Sequence, residues 1–578
     1  MSNKKPNDWK QTLHRLWAYV DEQRSKLFVV FFLVVLSSGL GLLGPFLIGK
    51  AIDLYIVTKQ PEGLMSLLLG LFAVYLLYAV SLFLQNYWMI HVSQDTVSKL
   101  RRQLFRHLHR LPLPYFDKRQ HGEIMSRAVN DVENISSTLN SSVIQVVSSV
   151  ITLIGTISVM LWLSPLLTLL TMMIVPLLFI GMKWITARTG PLFQQQQRNL
   201  GEVNGFVEEM VSGQSVMQIF SQEERVIKLF MEKNEKLKKT GYWAQVFSGF
   251  IPKLMNVLNN GSFAVIACIG GVLALRGMVT VGTIVIFAEY ARQFTRPLND
   301  LANQFNTLLS AIAGAERVFE TLDEEPEEDE IGAREVEKLQ GHVEFINVSF
   351  SYGEEETLTD VSFRAHPGET VAFVGPTGAG KTTITGLLSR FYEPAAGDIR
   401  IDGQSIKNIT RESLRRQMGF VLQDTVLLAG SIRENIRYGR LDATEEEVVT
   451  AAHMAGAHAF ISKLPNGYDT VIGPDGSGIS QGQRQLLAIA RVMLAAPAIL
   501  VLDEATSSID TLTEQHVQQA LARLMKGRTC FIIAHRLNTI RTADHIVVLQ
   551  EGRVVEQGSH EELVESGGLY ERLHQYYH

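Results

Sequence analysis

Hydrophobic and polar positions divide the chain into two unlike halves that meet near residue 320. In the first half the apolar residues run on with little interruption. From Leu27 to about Ile52 only Lys50 is charged, a run long enough to cross a hydrocarbon core. Comparable runs cover about Leu64–Ile90, which closes near the interfacial pair Tyr87-Trp88, and then Val143–Leu163, Leu166–Met182, Phe247–Leu275 and Val279–Leu301. Only Ser164-Pro165 separates the third run from the fourth, which predicts a tight hairpin. Six crossings are expected. Five or six such runs are too many for the buried helices of a water-soluble protein.

Between the runs the pattern turns helical and amphipathic. Trp9 to Lys26 places Trp17, Tyr19 and Val20 among Arg15, Arg24 and Lys26, as in a helix lying on the cytoplasmic leaflet, the alternative being an ordinary solvated helix. Leu100, Leu104, Leu108 and Leu111 recur at helical spacing, as do Val203, Phe206 and Met210. The membrane helices should therefore continue well beyond the bilayer. Basic residues concentrate in two long segments, Lys99 to Arg127 and Arg188 to Lys239, against little more than Lys59 and Arg276 on the opposite side. That bias puts both long segments and both termini in the cytoplasm. Within the sixth run, Glu289 shares a helix face with Arg292 and Arg296. It is either half of an ion pair internal to the helices or a substrate-facing carboxylate.

The second half alternates. An acidic run, Asp323 to Glu330, interrupted by Pro326, reads as a solvated linker. Past it, Val343-Glu344-Phe345 and Val348 to Tyr352 read as strands. The apolar run Thr370–Val374 then ends in Gly375-Pro376-Thr377-Gly378-Ala379-Gly380-Lys381-Thr382-Thr383, and a helix-compatible stretch follows. Strand, glycine-rich loop and helix make a phosphate cradle. Glycines let backbone N–H groups turn inward, Lys381 reaches the β/γ-phosphates, and the Thr382 hydroxyl ligates Mg²⁺. A second buried strand, Ile499–Leu502, delivers Asp503 and Glu504 at its C-terminal end. Asp503 is the candidate to hold Mg²⁺ through water, and Glu504 to polarise an attacking water. A third, Cys530–Ala534, brings His535 to the same edge. The expectation is an ATP-hydrolysing α/β module fused to an α-helical membrane domain.

Composition narrows this only slightly. The chain's 578 residues imply several domains, and a net charge of −6 names no nucleic-acid partner. Cys268 and Cys530 lack metal-ligand spacing, so neither a disulfide framework nor a zinc site is expected. The polar N-terminus carries no secretory signal pattern.

Taken together, the sequence resembles a half-transporter of the ATP-binding cassette exporter family over nearly its full length. The resemblance implies a membrane domain of six helices over residues 1–315, a linker over 316–340 and a nucleotide-binding domain over 341–578, with two chains forming the working unit. It also implies that Tyr352 stacks on adenine, that Gln423 senses Mg²⁺ and the water, and that His535 contacts the γ-phosphate. Ser507 to Asp510 then corresponds to the loop crossing between two sites. Tyr115-Phe116-Asp117 with Gly122-Glu123-Ile124, and Gly213 to Phe220, resemble the coupling segments.

One stretch departs from the pattern. Where the family has Leu-Ser-Gly-Gly-Gln, this chain has Ile479-Ser480-Gln481-Gly482-Gln483. Ser480 can still cap the following helix, whose N-terminus would face the partner's γ-phosphate with Gly482 and Gln483 in its first turn. Gln481 puts a side chain where glycine permits close approach. The resemblance links a full catalytic set beside an altered signature to heterodimers, so a different half-transporter is the expected partner, ahead of an identical chain that tolerates Gln481. The expected activity is ATP-driven export of small hydrophobic or amphipathic compounds, drugs first, across the cytoplasmic membrane. A lipid flippase of the same architecture and an ATP-gated channel or regulatory cassette protein remain as alternatives.

Overall fold

The computed structural model describes residues 9–576 apart from 61, 354–355, 423–424, 474–475, 477, 504–510 and 535–536. The chain forms two compact units, Met1–His109 with His121–Glu324, and Arg110–Gln120 with Glu325–His578.

Among the described residues, every regular element of the first unit is a helix. Four of its helical stretches, Arg24–Ile56, Leu64–Leu108, His121–Leu163 and Glu223–Leu275, are long and apolar enough to cross a membrane. Two more long helices, Ile174–Ser212 and Val281–Asp323, fall outside that criterion. Charged residues thin their apolar stretches: Lys183 and Arg188 in one, Glu289, Arg292 and Arg296 in the other. The expected hairpin forms at Ser164, which is extended and accepts the Leu167 N–H, with Pro165 opening the next helix. Helices outlast the apolar runs, as their leucine spacing requires: Leu100 and Leu104 are buried with Val132, Ile135, Val318 and Phe319.

Along one flank of the Val281–Asp323 helix the buried contacts are polar. Asp300 accepts from Gln145 at 2.6 Å, and Ser142 donates to Gln304 at 2.6 Å. Arg317 grips Asp131 through two bonds of 2.8 and 2.5 Å, and Arg127 donates to Thr321 at 3.0 Å. Two π-helical turns, Arg127–Asp131 and Thr138–Ser142, carry three of these partners, Arg127, Asp131 and Ser142. Each such turn shifts the face that a helix presents, here at the polar positions.

In the second unit a six-stranded sheet runs in the order Arg553–Gly558, His545–Gln550, Thr370–Val374, Thr529–Ile533, Ile499–Asp503, Met418–Val421. All neighbours are parallel except the antiparallel pair at the first edge. Apolar clusters cover both faces, so the central strands read as unbroken apolar runs. Val343–Ser351, Glu356–Ala365 and Ala396–Ile401 form a separate antiparallel sheet with the short strand Gln404–Ser405.

The acidic run differs from expectation. The long helix continues to Asp323, so the first residues of the expected linker are helical. Beyond it two of the carboxylates, Glu327 and Asp329, are paired and not merely solvated. Glu327 meets Arg415 at 2.7 Å and Arg411 at 3.3 Å, and Asp329 meets Arg411 at 3.1 Å. Sequence proximity could not show this, because the three arginines that hold the run, Arg390, Arg411 and Arg415, lie about sixty to ninety residues further on.

Candidate nucleotide site

The central strand Thr370–Val374 ends at Gly375, whose φ of 156° and neighbours exclude any side chain: a Cβ there would lie 2.2 Å from the Leu549 carbonyl oxygen. Gly380, at φ 96°, precedes the helix Lys381–Leu388, and a Cβ on it would meet Leu358 at 2.5 Å. The loop is thus fixed between two close approaches, with Thr377, Gly378 and Thr382 exposed and Ala379 and Thr383 buried. Lys381 is buried and donates to the carbonyls of Gly375 at 2.7 Å and Pro376 at 2.9 Å. Burial lowers its pKa from the ordinary lysine value, and Asp503 partly offsets this. An ammonium held by its own loop's carbonyls is a cation poised for a stronger, anionic acceptor.

Asp503 closes the strand Ile499–Asp503, two strands from the loop, in register with Ile533. Tyr352 is half exposed, and its phenol donates to Thr383 Oγ1 at 3.2 Å, which ties the expected adenine platform to the helix behind the loop. Ser480 caps the helix Gln481–Ala495 in a reciprocal box: its Oγ accepts the Gln483 N–H, and Gln483 Oε1 accepts the Ser480 N–H at 2.9 Å. The Gln483 side chain is therefore engaged in its own cap, and Gly482 is buried behind it. Gln423, Glu504, Ser507 to Asp510 and His535 lie outside the described residues.

The loop, the Asp503 strand and the bilayer-length helices stand in one chain, and comparison with known proteins agrees. Residues 27–298 match the model of the ABC transporter transmembrane region, and residues 358–507 match the ABC transporter model. The chain belongs to the ABC transporter family. An ABC transporter ATP-binding protein of Bacillus subtilis, YfiC, is 59% identical over 99% of this chain and 95% of its own. A fatty acid ABC transporter ATP-binding/permease protein of Mycobacterium tuberculosis is 44% identical over 87% and 79%. A putative multidrug export ATP-binding/permease protein of Bacillus subtilis, YgaD, is 35% identical over 97% and 98%. This ABC transporter is thus a half-transporter of the bacterial exporter type, a membrane protein with its ATP-hydrolysing domain in the cytoplasm.

Two features of this ABC transporter escaped the sequence reading. Arg390, fully buried at φ 55°, donates to the carbonyls of Ile406 and Ile409 and pairs with Glu393 at 2.9 Å. Next to it Tyr392 packs on Tyr352. The signal was a pair of rings between a base and an acid, Arg390-Phe391-Tyr392-Glu393, just past a helix end, which reads as an ordinary turn until its neighbours are known.

Proposed function

We propose that this chain exports hydrophobic or amphipathic compounds by alternating access, two ATP molecules being clamped between its cassette and that of a partner. The observation that carries the reading is one chain holding both a phosphate-cradling loop, with its lysine buried at the loop carbonyls, and helices of bilayer length. Six crossings, the two of Ile174–Ser212 and Val281–Asp323 included, complete the proposed membrane domain.

In this reading Lys381 and the N–H groups of the loop from Gly375 to Thr383 hold the phosphates, and Tyr352 supports the adenine. Thr382 and Asp503, with Gln423, would hold Mg²⁺, which neutralises charge on the phosphates. The exposed Thr382 hydroxyl fits that role. Glu504 orients the attacking water and His535 contacts the γ-phosphate. Ser480, Gly482 and Gln483 offer a helix N-terminus to the partner's nucleotide, with Asp510 in the crossing loop. Closure is driven because each γ-phosphate meets both chains only when they are together.

Relatives named for fatty acids, for a lipid A core and for multiple drugs share an amphipathic cargo, which supports that class here. In the membrane unit Glu289 lies 3.4 Å from Arg292 of the same helix, which favours the pairing role over substrate contact. A heterodimer is favoured over a homodimer by Gln481 in the signature stretch. Sealed vesicles holding the assembled complex test the whole: ATP should drive accumulation of a labelled fatty acid or a cationic dye, and Glu504→Gln should stop it. Hydrolysis of ATP with movement of neither probe overturns the exporter reading. Brisk, probe-stimulated hydrolysis by the chain purified alone overturns the heterodimer.

A further inference from the structure

Tyr352 does not stand alone. Its ring packs edge-on against Tyr392 at 5.0 Å and 87°, and against Phe350 at 4.9 Å and 88°. Phe350 and Tyr392 close the triangle at 5.4 Å. Such perpendicular contacts are directional, so turning one ring disturbs the other two. Phe350 is buried and anchored in the strand Val343–Ser351, which leaves Tyr392 as the member able to respond. The Tyr392 phenol donates to the Asp117 carboxylate, and burial, then Asp117, pushes its pKa above the ordinary tyrosine value. A phenol so held stays protonated and keeps donating at any physiological pH.

Asp117 ends the short helix Leu113–Asp117. That helix belongs to the second unit, yet its segment, Arg110–Gln120, leaves the first unit's chain at His109 and returns to it at His121. A cavity of about 990 Å³, lined among others by Pro114, Asp117, Tyr352 and Tyr392, gives the rings room to turn. Four residues thus form an unbroken line: Thr383 to Tyr352 by a hydrogen bond, Tyr352 to Tyr392 by ring contact, Tyr392 to Asp117 by a charge-assisted bond.

We propose that Tyr392 is a positioning residue that reports whether a base lies on Tyr352 to the segment 110–120, through its hydrogen bond to Asp117. This rests on the reading of Tyr352 as the adenine platform. Adenine on that ring strains the contact with Thr383 and turns Tyr352 in the cavity, and the edge contact passes the turn to Tyr392. The phosphates alone reach the loop through backbone N–H groups, leave the Thr383 hydroxyl on Tyr352, and so do not turn the ring.

Amide hydrogen exchange on the full-length chain in lipid nanodiscs tests this. ATP with Mg²⁺ should slow exchange at residues 113–117 about fivefold in the wild type, together with residues 375–383. Tripolyphosphate, which has no base, should leave 113–117 unchanged. Tyr392→Phe keeps the ring and loses the phenol, so ATP should protect 375–383 and no longer 113–117. Asp117→Asn keeps an oxygen acceptor and should retain most of the effect. Wild-type protection at 113–117 in Tyr392→Phe, its loss in Asp117→Asn, or its absence in the wild type while 375–383 is protected, overturns the proposal. Failure of ATP to protect 375–383 in the wild type overturns the nucleotide reading itself, and this inference with it.

Discussion

In the helix Val281–Asp323, the residues that meet its neighbour include Asp300, Gln304, Arg317 and Thr321, while Phe83 and Trp162 elsewhere in the same unit stand largely exposed. In the strand Thr529–Ile533 of the ATPase unit, every residue is buried, and Phe531 is packed between Phe363 and Phe373. Both units bury apolar clusters, but the membrane unit also leaves large apolar residues exposed along its bilayer-length helices. Solvent accounts for the difference. Lipid tails are as apolar as leucine, so burying a phenylalanine between membrane helices gains little and close packing sets their register, while the pairs Ser142–Gln304, Asp131–Arg317 and Arg127–Thr321 lie beyond the apolar runs. In water the same phenylalanine is the main source of stability.

The contrast can be broken at several places. The largest effect belongs to the phosphate loop: Lys381→Ala should lower ATP hydrolysis by about 100-fold or more while the membrane unit stays folded, read by phosphate release and by gel filtration in detergent. Next come paired deletions. Phe531→Ala should destabilise the ATPase unit by about 3–5 kcal/mol, whereas Phe83→Ala on the lipid-facing side should cost less than about 0.5 kcal/mol, both read by thermal melting in nanodiscs. Equal costs would erase the distinction drawn here. Asp131→Ala should cost about 1–3 kcal/mol, because it removes the two charge-assisted bonds from Arg317, which is itself partly exposed and can turn to water.

The smallest effect concerns helix caps in the ATPase unit. Glu447 is held below its ordinary pKa by the Thr444 backbone N–H first and then by Arg440. A carboxylate depressed in the folded state adds stability above its unfolded pKa, and that stability is lost as pH falls through the folded value. Melting temperature should therefore drop on acidification through the carboxylate range, and Glu447→Ala should flatten a small part of the fall.

Much of this protein was legible in the chain itself. Runs of apolar residues as long as a bilayer is thick, and the order of strand, glycine loop, lysine and helix at Thr370–Leu388, are local patterns governed by local physics. So is the box closed by Ser480 and Gln483, three residues apart. The leucine spacing that carries Leu64–Leu108 past the membrane is of the same kind. What local pattern could not decide is which distant groups meet. The acidic run reads as a solvated linker until Arg390, Arg411 and Arg415 are seen to hold it. Asp131 and Arg317 are 186 positions apart, and Asp117 and Tyr392 are 275. A charge or a phenol carries no mark of its partner in its neighbours' sequence, because the free energy of such a bond depends on burial and approach that only the folded chain supplies.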